Sequence, residues 1–194
     1  MAAIDKAAFE LRVSNHMYDT TKNITGKYQE SSTDAVCSAG VICVPGTRLP
    51  LDGYTGLYNE NAWIMGVSSA GAEDAIYACN PHDVQQLTDP LGNGYRVGVN
   101  TLGLAVPAGK RETFTRLDEG DHIRVGIGLF TATIGDSDIV AIVANGKLTA
   151  DDAVPTTAGW YFEILGQGTF TVGTFAGMGY ADLIVRRKYV ADAE

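Results

Sequence analysis

Apolar and polar positions along the chain follow a period of two far more often than a helical period. Thr113-Phe114-Thr115-Arg116-Leu117 alternates, and so does Tyr95-Arg96-Val97-Gly98-Val99. Successive side chains of a strand point to opposite faces, so each run predicts a half-buried strand. Ile139 to Val143 is wholly apolar and mostly β-branched, as in a strand covered on both faces. Further strands are expected at Val41 to Val44, Trp63 to Val67, Ala75 to Cys79, Ile123 onward toward Phe130, Trp160 to Leu165 and Ala181 to Arg187. Turn chemistry separates them. Asn145-Gly146 predicts a two-residue hairpin, because both residues accept a positive φ. Pro45-Gly46, Asp118-Glu119-Gly120-Asp121 and Gly166-Gln167-Gly168 read as turns. Residues 45–62 read as irregular, and Asp83 to Leu87 as one helical turn capped by Asn80 with Pro81 in its first position.

Residues 1–32 differ from the rest. Phe9, Leu11 and Val13 alternate, while Ile4, Ala8 and Leu11 fit a helix, and a polar stretch runs from Ser14 to Thr25. The expected organisation is an extended N-terminal arm over 1–32 and a β-rich domain over 33–194. The expected fold class is mainly β, an antiparallel β-sandwich or a β-barrel.

Composition narrows the function. The 194 residues include 23 glycines and only 19% charged residues, against a usual charged share of roughly 25%. That fits a turn-rich β protein. The net charge of −9 argues against a nucleic-acid binder, which needs clustered Lys and Arg to meet phosphates. Arg186-Arg187-Lys188 is the one basic run and reads as a charged sheet edge. The start lacks a basic-then-apolar secretory signal, and apolar runs are too short to cross a bilayer, so synthesis in a cytoplasm is expected. Cys37, Cys43 and Cys79 read as small buried hydrophobes.

Catalytic patterns are missing. His16, His82 and His122 stand apart, so an enzyme using His82 or His122 as base ranks last. There is no Cys-x-x-Cys or His-Glu-x-x-His, and Asp118 to Asp121 and Asp136-Ser137-Asp138 read as solvated turns. No cofactor, metal or catalytic residue is expected. Trp160, Tyr161 and Phe162 read as core packing on one side of a strand rather than as a ligand-stacking platform. Tyr54, Tyr58 and Trp63 read equally as an interface patch or as a loop folded on the core. The candidate interface residues are Phe9, Leu11, Val13, Tyr18 and Tyr28 of the arm, with Tyr54 and Tyr58.

Three stretches resemble one family. They are Phe114 to Val125 with its Gly120-Asp121 turn, Ile142 to Ala150 with Asn145-Gly146-Lys147-Leu148, and Trp160 to Ile164. Together, over 111–188, they are similar to capsid decoration (cement) proteins of tailed bacteriophages. The resemblance implies a structural virion protein on the capsid exterior that binds the major capsid protein, forms a homo-oligomer such as a trimer, and grips a neighbour through its arm. It implies no catalytic residue, cofactor, nucleic acid or membrane. Residues 45–110 have no counterpart in it. The alternatives are another phage head-fibre or tail β-module, or a carbohydrate-binding module that stacks sugars on Tyr and Trp.

Overall fold

The computed structural model describes residues 9–13, 22–50, 58–68, 75–81, 85–88, 94–97, 105–169 and 177–189. Among them the chain is mainly β, with a short 3-10 turn at Ile127–Leu129. The strands of the first half are β1 (Phe9–Val13), β2 (Asn23–Glu30), β3 (Thr33–Asp34), β4 (Cys37–Ser38), β5 (Ile42–Pro50), β6 (Tyr58–Val67), β7 (Ile76–Cys79), β8 (Gln85–Thr88) and β9 (Gly94–Val97). Those of the second half are β10 (Ala105–Val106), β11 (Arg111–Leu117), β12 (His122–Gly126), β13 (Val140–Ala144), β14 (Lys147–Asp151), β15 (Gly159–Thr169) and β16 (Gly179–Lys188).

Five strands close into a barrel in the order β11-β7-β5-β6-β2, with β2 pairing back onto β11. Closure removes the free edges that would otherwise invite pairing with other chains. All its pairings are antiparallel except β2 with β6. The interior is filled to contact. Gly26 lies under the Met65 and Phe114 side chains, and a Cβ there would strike Met65. Beside the barrel lies a six-stranded antiparallel sheet, β1-β12-β16-β15-β13-β14. Trp160, Phe162, Leu183 and Val185 point to its buried face. One continuous apolar cluster joins them to Ile42, Cys43, Met65 and Phe114 of the barrel.

Two polar nodes fix barrel to sheet. The β13–β14 hairpin turns at Asn145-Gly146, both with positive φ, as the sequence predicts. Its tip meets the barrel, where Gly146 N–H donates to Ser68 O at 3.0 Å and Ile42 N–H donates to Gly146 O at 2.8 Å. The second node is the turn before β12. Asp121 is fully buried, and Lys22 Nζ, at the start of β2, donates to its Oδ2 at 2.6 Å. Asp121 Oδ2 also accepts the Asp118 N–H, so the carboxylate stabilises its own turn.

Several expectations are revised. Asn23–Glu30, placed in the arm, is a barrel strand, so the expected boundary at residue 32 falls inside the barrel's connections. Of the 45–62 stretch read as irregular, the described residues 45–50 and 58–62 are strand, and Pro45 and Gly46 sit where the β5–β6 register shifts. Gln85–Thr88 is a strand paired with β9, not helical turn. Gly166-Gln167-Gly168 does not turn the chain, since β15 runs through it to Thr169. β12 stops at Gly126 and passes into the 3-10 turn. Arg186-Arg187-Lys188 lies on an interior strand rather than an edge.

Candidate interaction surface

The residues singled out from sequence fall in different places. Phe9, Leu11 and Val13 form β1, which adds to β12 with Phe9 opposite Val125, Leu11 opposite Ile123 and Val13 opposite His122. Tyr28 is core: it is 4% exposed, and its hydroxyl donates to Glu30 Oε1 at 2.8 Å. It therefore packs the core rather than presenting a surface. Tyr58 opens β6 opposite Pro50. Tyr18 and Tyr54 lie outside the described residues, as do His16 and His82. His122 is half-buried on β12.

The three cysteines are free and buried, as expected. The fold brings them together, with the Cys37 thiol within hydrogen-bonding reach of those of Cys43 and Cys79. The bond with Cys43, with burial added, pushes the Cys37 thiol far above its ordinary pKa, although the bond with Cys79 acts the other way. The bond with Cys37, then burial, raises Cys79 as well. Such thiols stay protonated and poorly nucleophilic. Among the described residues no group of three or more His, Cys, Asp or Glu is placed to hold a metal ion. No helix of the described residues is long and apolar enough to cross a membrane.

The outer face of the six-stranded sheet is crossed by paired charges. Arg124 holds Asp182 through both carboxylate oxygens at 2.7 Å and stacks on Tyr180, 3.8 Å from the ring centroid. Arg186 Nε donates to Glu163 at 2.8 Å. These pairs are internally satisfied and only partly exposed, so they brace the sheet.

One end of the sheet is different. The β15–β16 register shifts between Ile164 and Gly166, which makes Leu165 the extra residue of a β-bulge. A bulge bends its strand and re-aims a side chain. Leu165 is 50% exposed, and so is Ile139. The two are neighbours, because Ile164 N–H donates to Ile139 O at 2.9 Å. Gln167, two positions further along β15, lines a cleft of about 380 Å³ together with Ile127, Phe130, Thr131, Thr133 and Ile134. The surrounding loops are acidic. Segments 131–139 and 151–157 contain Asp136, Asp138, Asp151 and Asp152 and no Lys or Arg. Asp151 O accepts the Ile139 N–H at 3.0 Å, which draws the second acidic segment against the patch.

Periodicity places Ile139 and Leu165 in buried strands and so misses this patch. The available signal is local: Ile164-Leu165 breaks the alternation of β15 immediately before Gly166. Compared with family models, curated proteins and solved structures, the chain matches none.

Proposed function

We propose that the chain is a structural virion protein that binds the outer surface of a tailed-phage capsid and stabilises it. The observation that carries this reading is where the family-like stretches lie. Residues 111–188 supply β11 and five of the six strands of the sheet. Each shared feature is a structural node there. The Gly120-Asp121 turn ends in the buried Asp121, the Asn145-Gly146 hairpin seats on the barrel, and the aromatic strand is central β15. The resemblance thus spans a contiguous, packed unit rather than scattered turns.

A cement protein acts by mass action: whatever binds only the assembled shell stabilises it, and many copies add their effects. In this reading the partner is the major capsid protein, and copies group at capsomer junctions as homo-oligomers, trimers included. The net charge of −9 suits an exterior face turned away from the packaged genome. The role asks for no catalysis and no cofactor. Imaging of virions carrying a labelled chain tests the location. Label distributed over the head supports decoration, and label on the tail alone assigns the chain to a tail module.

A further inference from the structure

A bulge that displays leucine at a sheet end, next to a half-exposed isoleucine, leaves apolar area in water. Contiguous apolar surface with a polar rim is the common anatomy of a docking site. The charged side chains of the two loops are all acidic, and Lys188, which reaches the second loop, is held there by Pro155 O. Asp136 and Asp152 are exposed, and Asp138 and Asp151 are half-buried. Asp138 Oδ2 accepts the Gly135 N–H and Asp151 Oδ1 accepts the Ala153 N–H, which fixes the two loops without adding a cation. An acidic rim around an apolar centre selects a partner with the opposite arrangement.

We propose that this end of the sheet docks a segment of another protein in which an apolar side chain is flanked by lysine or arginine. The apolar side chain packs on Leu165 and Ile139, and the flanking cations meet Asp136 and Asp152. The chain's own run Arg186 to Lys188 is engaged within the subunit. Arg186 pairs with Glu163, Arg187 lies over Trp160, and Lys188 donates to Pro155 O. The inference rests on the chain being a docking protein, but not on the partner being a capsid.

The test is fluorescence anisotropy of the full chain with two labelled hexapeptides, one of alternating lysine and leucine and its glutamate–leucine counterpart. The lysine peptide is expected to bind saturably and more weakly as salt rises, and the glutamate peptide not to bind. Leu165→Ser with Ile139→Ser, and separately Asp136→Lys with Asp152→Lys, should each weaken binding by roughly tenfold or more. Equal binding by the variants, equal binding of both peptides, or no binding overturns the proposal. So does a change in sedimentation of the peptide-free Leu165→Ser, Ile139→Ser variant, which would make a second copy the occupant. Circular dichroism of each variant confirms that it folds. Peptide binding without capsid binding would reject the capsid role and leave this inference standing.

Discussion

Lys22 and Asp121 lie 99 positions apart, yet the Lys22 ammonium donates to the Asp121 carboxylate at 2.6 Å with both side chains almost wholly buried. Lys22 enters the barrel, while Asp121 precedes the first strand the sheet takes from the second half. Asp118 lies 3.2 Å from the same ammonium and is itself paired with Arg116. The pair therefore clamps the two layers at one point.

Removing one partner leaves a buried charge uncompensated. Lys22→Met is expected to cost about 3–5 kcal/mol of stability, and adding Asp121→Asn should recover part of it. Urea denaturation of the single and double variants measures this. A loss below about 1 kcal/mol for Lys22→Met, the usual size for a surface pair, would contradict a clamp.

The barrel interior sets a second expectation. Gly26→Ala drives a methyl group into Met65 and within 3.1 Å of the Phe114 ring. Overpacking of this kind costs roughly 1–3 kcal/mol. Gly66→Ala meets nothing within 4 Å and serves as the control. Thermal unfolding should separate the two clearly; equal midpoints would mean the barrel yields at Gly26.

Both expectations show what one sequence can and cannot reveal. Asn145-Gly146 is legible because its turn code is local: two adjacent residues with positive φ suffice. That the aromatic strand packs on one side is legible through a period of two, and the fold shows Trp160 and Phe162 to be the buried pair. Asp121 reads as a solvated turn because its partner is remote in the chain. Arg186 to Lys188 reads as an edge because strand order is set by pairing across the whole sheet. Pro45, Gly46 and Gly166 mislead as turn signals because they occupy register shifts inside long strands. Leu165 is missed by the same logic, and with it the apolar end of the sheet.

The thiol cluster predicts a pH dependence. In the fold, Cys37 and Cys79 keep their protons well above the pH at which a free thiol ionises, near 8.5. Below that value both folded and unfolded chains are protonated, and the stabilisation is fully present. As pH rises past it, only the unfolded chain loses these protons, so stability falls. Two such groups give a slope of about 2–3 kcal/mol per pH unit. Urea midpoints at pH 7.5 and 9.5 measure it, and a Cys37→Ala, Cys79→Ala variant should show a flatter profile. A wild-type midpoint that stays level across this range would contradict the protonated cluster.

The β13–β14 tip predicts a chemical resistance. Asparagine before glycine deamidates when the glycine nitrogen attacks the side-chain amide. Here that nitrogen donates to Ser68 O, and Gly146 is buried against Val41 and Ile42. Asn145 should therefore survive prolonged incubation at mildly alkaline pH in the folded protein and deamidate in denaturant. Mass spectrometry of the tryptic peptide reads both. Equal rates in the two conditions would show that the tip opens freely.

The most direct measurement of the proposed capsid-binding role is a titration of the purified chain onto emptied heads of a tailed phage whose genome carries its sequence, followed by imaging of the bound particles. The account predicts saturable binding at symmetry-related positions on the outer shell and a higher temperature of shell disruption once those positions are filled. Heads that stay bare from low to high salt would contradict it.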